Sequence, residues 1–134
     1  MTKHNHNVRV YYEDTDAGGI VYYANYLKFF ERARTEWLRQ MGIEQDILLE
    51  HSLGFVVKRV EMDNHAPARF NELLCIQSEI VELKRASLVF KQIIISPNEQ
   101  RLVSALIRVA CVNLSSMKPQ AIPEKILEEF SSVI

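Results

Sequence analysis

The fold is decided by one stretch, Tyr11–Tyr26, which reads YYEDTDAGGIVYYANY. It joins the end of a strand-like segment, rich in carboxylates, to two glycines that favour a turn and then to the first residues of an amphipathic pattern. A chain with this order passes from a strand through a turn into a helix. Its acidic side chains would then lie beside the unpaired N–H groups and the positive dipole of the helix N-terminus.

The residues that follow predict a long helix. From about Tyr22 to Met41 apolar residues recur at helical spacing, and Gly42 stands where a left-handed cap would end the helix. Twenty residues at ~1.5 Å each give a helix about 30 Å long. Its apolar stripe is rich in aromatic side chains, and we expect Trp37 to lie in the core rather than to bind a ligand.

The rest of the chain predicts a sheet. We expect a first strand at residues 8–14, a short second helix at 43–52, strands at 55–64, 73–84, 86–96 and 101–113, and a short C-terminal helix at 123–130. The connections between the later strands are short, which favours antiparallel pairing. The expected fold is α+β, with one curved antiparallel sheet around a single long helix, in one domain spanning residues 1–134. The edges of such a sheet commonly pair with a second copy.

The composition argues against several classes of protein. The 134 residues are 48% apolar and 25% charged, as in ordinary globular proteins, and a net charge of −1 gives no general attraction to nucleic acid or anionic membranes. No apolar run approaches the ~18 residues that span a bilayer, and the polar N-terminus does not resemble a signal peptide. Cys75 and Cys111 lack C-x-x-C spacing and are expected to be buried thiols. We therefore expect a cytoplasmic domain that binds no nucleic acid and inserts into no membrane.

The acidic cluster of Glu13, Asp14 and Asp16 has two interpretations. The acids could simply stabilise the N-terminus of the following helix. Alternatively, one carboxylate could attack an acyl carbon or activate water, while N–H groups at Gly18 and Gly19 or in the first helical turn hold the oxyanion. Glycines favour the second interpretation because they let a substrate approach the backbone closely.

Other chemistries find little support. The cluster fails as a calcium loop, since Gly18 and Asn25 stand where oxygen ligands belong, and it lacks the Lys and Ser/Thr of a phosphate loop. The histidines lack zinc spacing, so we expect no metal site: His4 and His6 are expected in a mobile tail, and His51 and His65 are isolated near loops. No G-x-S-x-G motif indicates a serine hydrolase. Lys84 and Arg85, expected at a hairpin tip, could hold a phosphorylated ligand.

The chain from about Val8 to Asn113 closely resembles the hotdog-fold acyl-CoA thioesterases of the 4-hydroxybenzoyl-CoA thioesterase type. It is nearest to the small bacterial enzymes encoded with the Tol–Pal cell-envelope system. The matching motifs are YEDTDAGGIVY at 12–22, NY at 25–26, FERARTE at 30–36, APARF at 66–70 and SLVF at 87–90. The resemblance implies an antiparallel sheet wrapped around one helix, forming a homodimer or homotetramer.

The resemblance also implies roles for individual residues. Asp16 falls on the catalytic aspartate, and the backbone N–H of Tyr23 falls on the group that polarises the thioester carbonyl. Glu31 matches a helix acid that faces the acyl group across the dimer, and Lys84 and Arg85 match a basic segment that holds the phosphates of CoA. The implied function is hydrolysis of an acyl-CoA to the free acid and CoA, without a cofactor, with acyl carrier protein as a candidate partner.

The sequence departs from this family at three places. Position 23 is Tyr where close relatives often have His, Asn64-His65 replaces an aromatic pair, and Asn71-Glu72 replaces a more acidic pair. Two competing functions stay open. A hotdog dehydratase would need a catalytic His, which the strand–helix motif lacks, and a non-catalytic acyl-carrier or envelope-complex binding protein would keep the fold without turnover.

Overall fold

A computed structural model describes residues 2–134 and shows an antiparallel sheet curled around one helix. The elements in chain order are strand β1 (His4–Arg9), helices α1 (Tyr26–Gln40) and α2 (Gln45–Glu50), strands β2 (Leu53–Asn64), β3 (Leu73–Leu83), β4 (Ser87–Ile95), β5 (Arg101–Asn113) and β6 (Lys118–Pro119), and helix α3 (Glu124–Ser132). The sheet order is β1-β3-β4-β5-β2, with β6 on β5, and all of these pairings are antiparallel. The predicted α+β hotdog architecture is confirmed.

Helix α1 fills the concave face of the sheet. Phe29, Phe30 and Ala33 are fully buried, and Trp37 is 3% exposed, which confirms its predicted place in the core. The inward residues of the strands close over them; among these, Ile80, Phe90 and Ile107 are buried. Burying a side chain of this size contributes about 1.5–3 kcal/mol, so this interface is the main source of stability.

The predicted first strand is wrong in its bounds. Strand β1 covers His4–Arg9, and Tyr12–Asp14 forms a 3₁₀ turn instead. The reason is local, because the Asp14 carboxylate accepts the Tyr11 N–H at 2.8 Å and offers the backbone an alternative to strand pairing. The carboxylate cluster therefore ends the strand early.

The predicted mobile tail is also wrong. His4 and His6 belong to β1, which pairs with β3, and His4 lies opposite Ser78. The His4 ring stacks on Trp37 with 5.7 Å between ring centroids and 6° between their planes. This pairing joins residues about seventy positions apart, which local sequence patterns do not reveal.

Helix α1 begins later than its apolar pattern suggests. A 3₁₀ turn occupies Tyr23–Asn25, and α-helical geometry starts at Tyr26. Gly42 has φ +85° and stands just beyond the helix, as predicted. The segment that separates the acidic cluster from the α-helix is thus longer than expected.

Candidate active site

The loop between the acidic cluster and helix α1 is held on both sides. Thr15 pairs with Val21 across the loop, and Ile20 pairs with Arg69 from the segment before β3. The Asp16 N–H donates to the Ile20 carbonyl at 2.9 Å. Gly19 has φ +75°, a conformation that residues with a side chain rarely adopt, so a glycine is favoured at this turn.

The Asp16 side chain lies at the mouth of an open cleft. One carboxylate oxygen, Oδ1, accepts the Gly18 N–H at 2.8 Å, which fixes the orientation of the side chain. A Cβ at Gly18 would stand 3.3 Å from that oxygen. The cleft measures about 420 Å³ and is lined by Asp16, Gly19 and a rim of other side chains: Tyr12, Thr15, Ala17 and Phe70. The carboxylate is exposed and can meet a bound molecule.

The neighbouring acid Asp14 has a different task. Its side chain is buried, and its carboxylate accepts the Tyr11 N–H. Its backbone carbonyl oxygen accepts the Tyr22 N–H at 3.0 Å and the Asn25 Nδ2–H at 2.9 Å. Asp14 thereby ties the loop to the start of the helix. The sequence did not single out Asn25 for a structural role, because its partner is a backbone carbonyl eleven residues earlier.

Tyr23 opens the helical segment beside a second cleft. Its N–H has no hydrogen-bond acceptor within residues 2–134, as is usual for the first N–H groups of a helix. The cleft measures about 380 Å³ and is lined by Ile20, Val21, Tyr23, Tyr26, Asn64, His65, Ala66 and Pro67. Gly19 lines the Asp16 cleft and the next residue, Ile20, lines this one, so the same loop contributes to both clefts.

The structure adds two side chains that sequence reasoning did not place here. The Tyr26 hydroxyl accepts the Ala68 N–H at 3.1 Å, and His65 Nε2 lies 2.9 Å from Ser104 Oγ. Both contacts join residues about forty positions apart. His65, expected to be isolated, lines the same cleft as Tyr23.

Glu31 does not share a cleft with Asp16 in the single chain. It is exposed on helix α1 and lines a separate pocket of about 130 Å³ beside β2. Its companions there include the buried Arg34 and the partly exposed Phe55 and Val57 of β2.

Lys84 and Arg85 also lie away from Asp16. They are exposed at the turn between β3 and β4, as predicted. Phe70, which lines the Asp16 cleft, stands just before the other end of β3. A strand of 11 residues spans about 33 Å, so the two basic residues and the Asp16 of the same chain lie at opposite ends of the sheet.

Across residues 2–134, no group of three or more His, Cys, Asp or Glu side chains is arranged to hold a metal ion. None of the helices in the described part of the chain is both long and apolar enough to span a bilayer.

Comparison with known structures defines the class. The fold matches a probable thioesterase from Bartonella henselae with a TM-score of 0.86 and 38% identity, covering 91% of this chain and all of that one. It also matches a DHNA-CoA thioesterase from Staphylococcus aureus with a TM-score of 0.95 at 18% identity, covering 99% of this chain and 91% of that one, a likeness of fold alone. The protein therefore has a hotdog thioesterase fold.

Sequence comparison gives the family. The model of the thioesterase-like superfamily matches residues 10–130, and the chain belongs to that superfamily. A relative from Haemophilus influenzae, the acyl-CoA thioesterase YbgC, is 48% identical over 124 residues, which cover 92% of this chain and 90% of the relative. The acyl-CoA thioester hydrolase YbgC from Escherichia coli O6:H1 is 47% identical over 123 residues, covering 92% of each. The protein is accordingly a thioester hydrolase.

Proposed function

We propose that this protein hydrolyses acyl-CoA thioesters to a free carboxylic acid and CoA. The observation that carries the proposal is the Asp16 carboxylate, fixed by the Gly18 N–H beside a cleft next to the start of α1. The names of the relatives that are 47–48% identical support CoA as the carrier of the acyl group.

Asp16 can act in either of two ways. As a nucleophile, its carboxylate adds to the thioester carbon and expels CoA as a thiolate, and water then hydrolyses the acyl-aspartate anhydride. As a general base, it takes a proton from a water molecule that attacks the same carbon. A thiolate leaves without the help of an acid, so one carboxylate and one oxyanion site are sufficient in both routes.

The 3₁₀ turn that leads into helix α1 provides the oxyanion site. When the carbonyl carbon is attacked, negative charge develops on its oxygen, and an N–H without another acceptor can stabilise that charge. The Tyr23 N–H meets this condition and is supported by the helix dipole. Gly18 and Gly19 keep the approach free of side chains; no heavy atom lies within 4 Å of where a Cβ of Gly19 would stand.

A second copy of the chain would complete the site. Strand β2 is a sheet edge of 12 residues that pairs with β5 on one side. Two copies joined antiparallel along β2 would place the Leu53 end of one strand beside the Asn64 end of the other. Because Leu53 pairs with Asn113, and Ser87 pairs with Ala110, the Leu53 end is also the end that carries the β3–β4 turn. Lys84 and Arg85 of one subunit would then approach the Asp16 cleft of the other.

This arrangement also gives Glu31 a role. Its pocket is lined by Phe55 and Val57 of the edge strand, so a dimer formed along β2 places this pocket near the subunit interface. The acyl group of a substrate bound to one subunit could then meet Glu31 of the other, while two cationic side chains hold the CoA phosphates.

A thiol-release assay tests the catalytic proposal. A panel of short, long and aromatic acyl-CoAs is incubated with the wild type, with Asp16→Asn and with Glu13→Gln as a matched control in the same acidic cluster. We expect thiol release by the wild type and the Glu13 variant, and a loss of at least 10³-fold in Asp16→Asn. Full activity of Asp16→Asn would overturn the proposal, and so would the absence of release from every substrate by the wild type.

Mixing two inactive variants tests the shared site. Asp16→Asn and the double variant Lys84→Ala/Arg85→Ala are unfolded together and refolded. Random pairing makes half of the dimers mixed, each with one intact site, so roughly a quarter of the wild-type sites are restored. Activity no greater than the sum of the two parents would show that Asp16 and the basic pair do not act across subunits.

The cytoplasmic location, a tetrameric state, an acyl carrier protein partner and the link to the Tol–Pal system stay predictions. Sedimentation analysis of the purified chain, with and without acyl carrier protein, tests the second and third of these.

A further inference from the structure

Tyr26 lines the same cleft as Tyr23. Tyr26 is the first residue of α1, is 3% exposed and packs edge-to-face on Phe29. Its Oη accepts the N–H of Ala68 at 3.1 Å. That nitrogen is bonded to Pro67, another residue of the cleft wall, so the hydroxyl and the cleft meet at this point.

The hydroxyl hydrogen has no acceptor of its own. A tyrosine hydroxyl can accept hydrogen bonds and can donate one. Here the oxygen accepts from Ala68, and within residues 2–134 the donor hydrogen is matched to no acceptor. The hydroxyl can therefore donate this hydrogen to an acceptor that enters the cleft.

The hydroxyl also stays protonated. Burial raises the pKa of Tyr26, an effect that outweighs the opposing hydrogen bond from Ala68. Glu72 raises it further by its charge. The neutral O–H donor therefore persists at neutral pH.

Tyr26 stands close to the proposed oxyanion site. Tyr23 and Tyr26 are three residues apart across a 3₁₀ turn, where residues at this spacing lie one above the other. The Tyr26 N–H donates to the Tyr23 carbonyl, which fixes the two residues relative to each other. Tyr23 and Tyr26 thus line one cleft, and each has a donor without an acceptor within residues 2–134.

We propose that the Tyr26 hydroxyl is a second oxyanion donor, which binds the thioester carbonyl oxygen together with the Tyr23 N–H. The inference rests on the proposed function. The proton stays on Tyr26 throughout: the hydrogen bond strengthens as the nucleophile adds and the carbonyl oxygen gains charge, and it weakens when the C–S bond breaks and the carbonyl re-forms. Tyr26 is in this sense a catalytic residue, while its bond to Ala68 holds the hydroxyl in place.

Removing the hydroxyl is the first test. Tyr26→Phe should lower kcat about 10²-fold and leave KM nearly unchanged, because the lost bond is stronger in the transition state than in the ground state. A rise in KM with kcat unchanged would overturn the inference, since the hydroxyl would then contact another part of the substrate.

Tyr26→Phe removes the acceptor of the Ala68 N–H as well as the O–H donor. A fluorinated tyrosine at position 26 separates these two effects. The analogue carries enough fluorine atoms on its ring to offset the rise in pKa caused by burial, so the group ionises within the working pH range. The phenolate still accepts from Ala68 but can no longer donate. We expect kcat to fall as pH rises, following the ionisation of residue 26 measured by ¹⁹F NMR.

Two comparisons keep this test decisive. The same analogue at Tyr11, which lines a different cleft, should leave the pH profile of kcat at its wild-type shape. A wild-type profile with the analogue at position 26 would overturn the inference. If Asp16→Asn is inactive while the Tyr26 variants behave as wild type, only this inference fails; an active Asp16→Asn removes the proposed function itself.

Discussion

Polar groups in the middle of helix α1 are hydrogen-bonded within the protein, whereas two donors at its start have no acceptor in the described part of the chain. In the middle, Arg34 Nη1 donates to Gln92 Oε1 at 2.9 Å, and Gln92 Nε2 lies 2.9 Å from Ser78 Oγ and 3.1 Å from the Phe30 carbonyl oxygen. All three side chains are buried. At the start, the Tyr23 N–H and the Tyr26 O–H lack acceptors within residues 2–134 and adjoin an open cleft.

The difference separates groups that hold the fold from groups that are available to a ligand. Burial lowers the pKa of Arg34 to about 10, so its guanidinium remains charged at neutral pH and needs its partner. Such a cluster fixes one packing of the helix on the sheet. The two donors at the start of the helix are available to a ligand, and the role we propose for them is catalysis.

The largest effect is expected from breaking the buried cluster. Gln92→Leu removes the acceptor of Arg34 and should lower the free energy of unfolding by about 3 kcal/mol, measured by urea denaturation. Activity per folded molecule should change little. Arg34→Met combined with Gln92→Leu replaces the pair by apolar groups and should regain most of the loss; a double variant as unstable as the single one would contradict this account.

The next effect concerns the acid that fastens the loop. Asp14→Ala removes the carboxylate that accepts the Tyr11 N–H and should cost about 2 kcal/mol of unfolding free energy. Asp14→Asn keeps an acceptor oxygen and should cost less. The Asn variant should also remain active, unlike Asp16→Asn; equal inactivation of both would mean that the two acids have no separate roles.

Glycine substitutions distinguish backbone strain from function. Gly19 and Gly42 have φ of +75° and +85°, and a Cβ on either would have no heavy atom within 4 Å. Ala at either position should therefore cost about 1 kcal/mol in thermal or urea unfolding. Only Gly19→Ala should lower kcat/KM, by roughly tenfold, because it shifts the loop that carries Asp16. Equal kcat/KM in both variants would show that this loop tolerates movement.

The smallest effect is a pH dependence of stability. Burial against Trp37 lowers the pKa of His4 below its usual 6.5, and the nearby His6 lowers it further. His4 therefore binds a proton more readily in the unfolded chain than in the folded protein. The stability that the neutral His4 ring contributes is complete above pH 6.5 and is lost as pH falls, because protonation favours the unfolded chain. His4→Phe should flatten the slope of urea midpoint against pH below 6.5, whereas His51→Gln, at an exposed loop position, should leave it unchanged.

Much of the fold could be predicted from periodicity. The bounds of β5 were predicted to the residue, and those of β3 and β4 to within one, because alternating burial along a strand is visible in the sequence. The start of the chain was predicted wrongly because β1 depends on β3 for its pairing and on Trp37 for the packing of His4. A local pattern contains neither partner.

The candidate site was predictable only where its residues are neighbours in sequence. Four candidate residues lie within eight positions of one another: Asp16, Gly18, Gly19 and Tyr23. In the structure they belong to one loop that contributes to two clefts. Tyr26 was named from the sequence only as part of the NY match at 25–26, since the Ala68 N–H that orients its hydroxyl comes from a distant segment. The proposed roles of Glu31, Lys84 and Arg85 depend on a second copy of the chain, so only an assembly of two chains can test them.

The Ile20–Arg69 bridge and the Tyr26–Ala68 hydrogen bond have a consequence for folding order. Both close chain loops of more than forty residues, and contacts of such long range form slowly. Hydrolytic activity should therefore return no earlier than the last refolding phase, after the helical circular dichroism signal. Recovery of activity with the first phase, in a stopped-flow refolding experiment, would show that the loop around Asp16 takes shape without its distant anchors.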